Sequence, residues 1–548
     1  MSLSYSYPGI YIQELPLSTH TITPAPTSIA AFVGYTHPWK TTNFNTAIQL
    51  FSFTDYETYF GGLYTSGLVN SDVAQAVYAF FLNGGNNAYV VGLQPEAYAG
   101  IAPLGKFGIG ANQYQFQTQI VTSGPGVGIQ LYALEPCDIV PMTATITNLR
   151  VSNPAVTPAV YDTFDLIITY GARIEVYRSV NITIPQGSAG SLDKLINNIS
   201  TLVTVEPMTG TSYGTGFPYT APALPVPPAP ANFTIGTVAT PPGVLPAGFS
   251  GSFNPLDFIN AFQANSSLDN VPIFNLLLVP AVTDNIVLSA ALSFAERKRA
   301  FAILDPPAQA SAFLNPNYPL LPPIATLIGD IPTSQNGAIY FPYLKTTDPI
   351  SLLPASVAPS GYVAGVFATT DSTRGVWKAP AGIGTPLLGT TGPVANGVMN
   401  DQQQGVLNLD SINCLRTLSN STVVYGARTL VAGNQAFAQS KYVPVRRMTL
   451  FIEQTLVSNL TWVVFEPNAE PLWIAITMTI EAFLLSLFNQ GALQGTTPSD
   501  AFQVKCDKTT TTPADQQNGI VNIVVGVALL KPAEFVVITI SQLAGQTS

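Results

Sequence analysis

Thr27-Ser28-Ile29-Ala30-Ala31-Phe32-Val33-Gly34 and Ala88-Tyr89-Val90-Val91-Gly92 are two short apolar runs, each closed by a glycine. Between them lies a segment of helical spacing. Val73, Ala76, Val77, Phe80 and Phe81 share one face, Ser71 precedes them as an N-cap, and Gly84-Gly85 ends the run. Strand, helix and strand in about 65 residues open an α/β domain.

Downstream the pattern returns. Phe274 to Val279 reads as an apolar strand, Asn285 to Ala300 as a helix, and Phe301 to Leu304 as a strand stopped by Asp305-Pro306-Pro307. Ala338 to Pro342 is a further strand. Residues 444–460 predict a helix followed by a strand, Trp462 to Phe465. Pro471 suits the first turn of a helix over Trp473–Asn489, which Gly491 closes. Ile520 to Leu529 and Glu534 to Ile540 predict a terminal hairpin. From about Gly100 to Ser250 the character changes. Tyr114–Val121, Thr143–Val151, Asp165–Tyr170 and Arg173–Val180 are β-prone, and a Pro-rich stretch runs from Phe217 to Gly248. This is a β-rich insertion with a stiff linker, expected to be separable from the core. The first 26 residues read as an extended arm around Tyr7-Pro8-Gly9-Ile10-Tyr11-Ile12-Gln13-Glu14. The expected fold is an α/β (α+β) core with extended terminal arms and a β-rich inserted domain. Its parts are an arm (1–26), core (27–99), insertion (100–250), core again (251–430) and a C-terminal domain (431–548).

Charge is scarce. Lys+Arg number 20 and Asp+Glu 30, only 9% of the chain, against about 25% in a typical domain. A surface so poor in charge is expected to be covered, by a membrane or by other copies. Trp473 to Phe488 is shorter than the ~20 residues a spanning helix needs, and it contains Thr477, Thr479 and Glu481. It reads as a buried or half-buried helix, so no direct membrane insertion is expected. No basic-then-apolar leader opens the chain, which places its assembly in the cytoplasm. Residues 1–296 hold 6 basic and 16 acidic side chains, and residues 297–548 hold 14 of each. That balance argues against nucleic-acid binding. The clusters Arg297-Lys298-Arg299 and Arg446-Arg447 read as solvated helix faces.

Chemistry-bearing motifs are missing. Cys137, Cys414 and Cys506 are far apart, and His20 and His37, both read as loop residues, are the only histidines. That leaves little for a metal site, a triad or a disulfide framework. Neither a P-loop nor a GxSxG or HExxH motif occurs. Asp55/Glu57 and Glu466/Glu470 lack a nucleophile nearby, and Asp371-Ser372-Thr373-Arg374 reads as a turn closed by an Asp–Arg bond. No catalytic, cofactor-binding or metal-binding residue is expected. The chain is expected not to be an enzyme.

Other stretches carry a resemblance. Tyr7 to Glu14 followed by Thr27 to Gly34, and Phe80-Phe81-Leu82-Asn83-Gly84-Gly85 leading into Ala88 to Val91, resemble the opening of contractile tail sheath proteins. Pro359-Ser360-Gly361-Tyr362-Val363-Ala364-Gly365 running into Thr370 to Pro380 resembles the family stretch PPSGxxAGxxAxxDxxRGVWKAPAN. Ala358 stands where a second Pro is common, and Ala381-Gly382 where Ala-Asn is. Ile412 to Arg416, Tyr425 to Leu430, Trp462 to Asn468, Val504 to Asp507 and Leu530 to Phe535 follow in the family's order.

The resemblance covers about 5–95 and 270–542. It implies a structural subunit of the contractile sheath of a phage tail-like injection system. Such a subunit forms a homo-oligomer, as stacked rings or a helix around an inner tube protein, with baseplate and terminal cap proteins as further partners and no cofactor. A single chain spanning the whole pattern points to the phage-tail-like branch rather than the two-chain sheaths of type VI systems. The particle is released or membrane-anchored. The arm residues Tyr7, Pro8, Gly9, Ile10, Tyr11 and Ile12 and the strands carrying Val521, Ile523, Val525, Phe535, Val537 and Ile538 are expected to pair with neighbouring copies. Tube contact is expected within 440–520, through Lys441, Arg446, Arg447, Lys505 and Lys508. The rival reading is a surface-layer or adhesive lattice protein.

Overall fold

The computed structural model of the protein describes residues 21–37, 40–65, 72–93, 131–135, 140, 142–151, 160–181, 184, 187–197, 199–205, 219–220, 231–235, 253–308, 331–394, 399–418, 420–535 and 537. They fall into two compact units. One is Pro26–Arg447, and the other joins the segment ending at Ala25 to the chain from Met448 onward. The division therefore falls at Arg447 rather than near residue 430, and residues 21–25 belong with the C-terminal unit. Ser71, Tyr114–Val121, His20, Cys137 and the arm residues 7–12 lie outside the described residues.

The larger unit begins with β1 (Ala30–Tyr35), β2 (Ala47–Leu50), α1 (Phe53–Phe60), α2 (Asp72–Leu82) and β3 (Ala88–Leu93). The insertion supplies β4 (Leu131–Ala133), β5 (Met142–Val151), β6 (Val160–Tyr170), β7 (Arg173–Asn181), α3 (Leu192–Ile196), β8 (Val203–Val205), β9 (Tyr219–Thr220) and β10 (Ala231–Ile235). The core resumes with α4 (Pro255–Ala261), β11 (Leu276–Leu278), α5 (Asn285–Arg297), β12 (Phe301–Leu304), β13 (Gly337–Phe341), β14 (Leu344–Thr347) and β15 (Pro354–Val357). Then come α6 (Ser360–Arg374), β16 (Gly392–Pro393), α7 (Asp401–Leu409), β17 (Ile412–Leu418) and β18 (Ser421–Tyr425). Helix α8 (Val443–Asn459) crosses the division. Beyond it are α9 (Glu470–Asn489), α10 (Pro498–Ala501), β19 (Phe502–Lys505), α11 (Pro513–Gln517) and β20 (Val524–Val527).

Eight strands form one sheet, in the order β18-β17-β13-β12-β11-β1-β3-β2. The six inner strands are parallel, and β2 and β18 close the two edges antiparallel. Parallel strands covered on both faces read as continuous apolar runs rather than alternating ones, as FAIL at 301–304 does. On one face Ala31, Val33, Leu277, Ala302 and Ile339 join a core with Phe258 of α4, Val287 and Ala291 of α5, and Leu407 of α7. On the other face Phe32 meets Phe80 of α2 at 5.6 Å, and Phe301 and Tyr340 meet Phe367 of α6 at 6.4 and 6.2 Å.

The pairing of α2 with α6 depends on glycine. A Cβ on Gly361 would strike the Ala76 backbone, and one on Gly365 would sit 2.8 Å from the Phe80 carbonyl oxygen and 2.5 Å from the Asn83 Cβ. The Gly361-Tyr-Val-Ala-Gly365 spacing places both glycines on one side of α6, where the helices approach most closely. The start of α6 is held by Asp305, just past β12. Its carboxylate accepts from the Ser360 amide at 2.8 Å, the Ser360 hydroxyl at 2.7 Å and the Ala281 amide at 3.0 Å. A side chain from another element thus does the work of an N-cap, where Pro359 has none to offer. Asp371 to Arg374 form the last turn of this helix rather than an isolated turn.

In the insertion, β10-β5-β6-β7 form an antiparallel sheet with β9 beside β6. Met142, Ala144, Leu166, Ile168 and Tyr170 face a core completed by Leu192 and Ile196 of α3. The strands expected at 143–151, 165–170 and 173–180 are present.

Two local readings change. Trp462 to Phe465 is not a strand: Thr461–Val463 is a 3-10 turn, and Phe465 is wholly exposed with φ +71°. Arg297 and Lys298 are tied down rather than solvated. Arg297 pairs with Asp269 at 3.0 Å, and Lys298 donates to the Asp269 and Val271 carbonyls. Strand β20, within the run expected to open a terminal hairpin, runs antiparallel to β19, and residues 536 and 538–540 of its expected partner lie outside the described residues.

Candidate assembly surfaces

The C-terminal unit is organised by α8 and α9. Phe451 of α8 lies 6.2 Å from Phe483 of α9. Helix α9 buries Leu472, Trp473, Ile476, Ile480, Phe483, Leu484 and Leu487. The Trp473 indole donates to Asn468 at 2.9 Å. With 20 residues α9 is longer than its sequence indicated, and by length and composition alone it could cross a membrane. One side of it is nonetheless seated in the unit's own core. Its other side leaves Ile474, Met478 and Leu485 exposed, an uncovered apolar stripe at helical spacing.

Strands β19 and β20 form a sheet of two. Among the described residues each has one unpaired edge. A two-stranded sheet is marginal in water by itself, and open edges are templates for a further strand. Val521 and Ile523 lead half-buried into β20, and Val525 sits within it. Phe535 and Val537 are largely exposed and belong to no strand, while Ile538 lies outside the described residues.

The five cations expected to hold a tube separate into two groups. Lys505 is exposed on β19, and Lys508 is exposed within 3.7 Å of Glu470. The other three belong to the larger unit. Lys441 lies 5.1 Å from the Tyr442 ring, and Arg446 donates to Asn336 at 3.0 Å. Arg447 is buried: its guanidinium forks onto Asp371 and donates to the Thr27 carbonyl. Arg447 is therefore withdrawn from the contact set, because a buried guanidinium held in this way is turned to the interior and cannot reach a tube.

A second charged cluster fastens the insertion to the core. Glu135 is fully buried and takes bonds from His37 Nε2 at 3.0 Å, from Lys40 and from Arg173 at 2.7 Å. The Lys40 amide donates to His37 Nδ1, so Nε2 carries the ring proton toward Glu135. Burial pushes the Glu135 carboxyl up, but the His37 bond and the charges of Lys40 and Arg173 outweigh it and bring it to about 2. Burial holds the His37 imidazole below its ordinary value, hence neutral. Beside this, the Ala172 amide bonds the Ile350 carbonyl at 2.8 Å, and Ile350 enters the insertion's core. Nothing local in the sequence marks His37 as more than a loop residue, because Glu135 lies 98 positions along the chain. Asp371 is likewise legible only as a turn, since Arg447 lies 76 residues on.

Among the described residues no group of three or more His, Cys, Asp or Glu is placed to hold a metal ion. Cys414 and Cys506 are buried free thiols, and burial pushes the Cys414 thiol up to about 12.

An α/β body and a second unit made of residues 21–25 and the chain from Met448 onward are the architecture set against known proteins. Residues 435–542 match the family described as the phage tail sheath C-terminal domain. Over most of its length the chain has the fold of solved contractile sheath proteins. It is similar to the helical sheath of the anti-feeding prophage in its contracted state, at 20% identity and TM-score 0.54 over 98% of this chain and 100% of that one. A chain of the six-fold-symmetrised anti-feeding prophage baseplate is alike at the same identity and TM-score, covering 98% and 99%. The sheath tail protein of Desulfitobacterium hafniense is alike at 10% identity and TM-score 0.50, covering 91% and 93%. No curated protein sequence matches the chain. The resemblance to contractile tail sheath proteins read from the motifs stands.

Proposed function

We propose that the chain is the sheath subunit of a contractile, phage tail-like injection system. Copies polymerise around an inner tube in an extended, metastable state and contract to drive the tube through a target envelope. The observation that carries this is the likeness in fold over nearly the whole chain to a contractile helical sheath, joined to the sheath-domain match at 435–542. The work of contraction comes from interfaces that fit better afterwards, without catalysis by this chain. Inner tube, baseplate and terminal cap proteins are its partners, and assembly takes place in the cytoplasm.

Strand addition links the copies. The β19–β20 sheet offers its open edges, and the arm around Tyr7–Ile12 or the tail carrying Phe535 and Val537 of a neighbour supplies the added strand. Lys505 and Lys508 are the exposed cations that face the tube. Electron microscopy of the purified protein tests the assignment. Hollow, striated tubes are expected. Flat sheets would replace this reading with a surface-layer lattice, and discrete particles at every concentration would end both.

A further inference from the structure

Left-handed backbone outside glycine falls mostly on small residues among the described ones, Asn, Ser and Ala. The bulky apolar exceptions are Leu352 and Phe465, at φ +58° and +71°. A bulky side chain is strained there. Phe465 is wholly exposed, so packing within its own chain does not offset that strain, and Val464 beside it is 63% exposed. The tip that carries the two is braced. The Val464 amide donates to the Thr461 carbonyl at 3.3 Å, and the Glu466 amide to the Val463 carbonyl at 3.2 Å. Just beyond, Asn468 is tied three ways. Its Oδ1 accepts from the Trp473 indole at 2.9 Å, its Nδ2 donates to the Ile520 carbonyl at 3.0 Å, and its own carbonyl accepts from Gln516 Nε2 at 2.6 Å. Val464 and Phe465 thus form a rigid apolar knob on the C-terminal unit. An aromatic side chain presented in this way loses little freedom when it binds.

The same unit carries an unlike surface of matching chemistry. Ile474, Met478 and Leu485 lie exposed along the outer side of α9, with Glu481 between them. An unbranched methionine in the middle of such a stripe adapts to an aromatic partner. Two considerations decide what covers the knob. A phenylalanine and a valine set on a helix stripe bury on the order of 500 Å² counting both sides, well under the ~1,200 Å² that a stable complex of two free partners needs. Such a contact persists where it is repeated beside others, as in a polymer of one chain. Knob and stripe are also different surfaces, so docking one on the other is heterologous and gives an open helical array rather than a closed pair. The helical sheath to which this chain is alike in fold is an array of that kind.

We propose that the Val464–Phe465 knob of one copy docks on the Ile474, Met478 and Leu485 stripe of α9 in another copy. The choice of partner rests on the sheath reading. The contact itself is separate from strand addition at β19 and β20.

The test uses the full-length chain with Cys137→Ser, while Cys414 and Cys506, both buried, stay. Phe465→Cys chains are mixed with Met478→Cys chains at concentrations that allow assembly, then mildly oxidised. A mixed cross-linked dimer is expected, and a chain carrying both changes should give a ladder of oligomers. Absence of the mixed cross-link, with or without tubes, would overturn the contact. So would cross-linking of Phe465→Cys only to itself, or only to a co-assembled inner tube protein. Phe465→Gly gives an independent readout. It removes the ring and relieves the left-handed backbone, so the thermal midpoint of the monomer should rise while the concentration needed for assembly rises roughly tenfold. A residue that served only the fold would not weaken assembly while stabilising the monomer. Unchanged assembly by Phe465→Gly would overturn the proposal. Should that variant not fold, Met478→Ser on the exposed stripe decides, with the same loss expected and unchanged assembly overturning the contact. Cross-links without tubes in electron micrographs would uphold the contact and end the sheath reading, and tubes without cross-links would do the reverse.

Discussion

Asp305 and Glu135 are both buried carboxylates, yet they respond to pH in opposite ways. Burial raises Asp305 from its ordinary 3.8 to about 6, only partly offset by the bonds from Ser360 and Ala281. A carboxyl raised on folding takes up its proton more readily in the folded chain. Stability from this group is therefore greatest below about pH 4 and falls as pH rises through 6. The whole effect is about 3 kcal/mol for a shift of about two units. Asp305→Asn, which still accepts from Ser360, should flatten the slope of unfolding free energy between pH 4 and 6 in urea titrations. Glu135, lowered from 4.5 to about 2, behaves in the reverse sense. Its contribution is complete above about pH 4.5 and disappears as pH falls through about 2. Glu135→Gln should cost roughly 3 kcal/mol at pH 7, because Lys40 and Arg173 lose their buried counter-charge, and should flatten the acid limb. Wild-type slopes retained in either variant would show that the titrating group lies elsewhere.

At the scale of elements, the α2–α6 contact and α7 make a matched pair of experiments. Gly361→Ala forces a methyl into the Ala76 backbone and should cost about 2 kcal/mol or more. Gly405 sits in α7, where an added methyl would meet nothing within 4 Å, so Gly405→Ala should stabilise by about 0.5–1 kcal/mol. Thermal melts that moved the same way for both would contradict the close helix approach. The contrast also shows what sequence can reveal. Apolar runs such as AAFVGY and FAIL are legible as strands because parallel strands are buried on both faces. The spacing of Gly361 and Gly365 is visible, but its reason is not, since the opposing backbone lies almost 300 residues away. The C-terminal pairing is hidden for a related cause. Val524 to Val527 pair with Phe502 to Lys505, a partner beyond α11 that no local pattern announces.

For the whole molecule, the proposed assembly places its demands on the ends. Deleting residues 2–20 should leave a folded, soluble monomer that forms no tubes, because each added strand contributes several backbone bonds at roughly 0.5–1.5 kcal/mol apiece. Circular dichroism checks the fold and electron microscopy the assembly, and long, normal tubes from the shortened chain would make the arm dispensable. Charge reversal at Lys505 and Lys508 should weaken binding to the inner tube, most visibly at low salt, since both cations are exposed and screened. Co-sedimentation with tubes at two ionic strengths would read this out, and equal binding by variant and wild type would remove these lysines from the tube-facing surface. Arg447→Glu would mislead in the same assay, because its loss acts on the interior.

The buried carboxylate beneath the insertion sets a rule for grafting. A foreign module spliced in place of residues 100–250 would remove Glu135 and Arg173 but leave His37 and Lys40 behind in the host, a dry socket without its plug. Display of an epitope or targeting ligand is better served by a splice within the insertion that keeps Glu135, Arg173 and the Ala172–Ile350 bond as part of the chassis. A clean excision would need His37 and Lys40 redesigned at the same time.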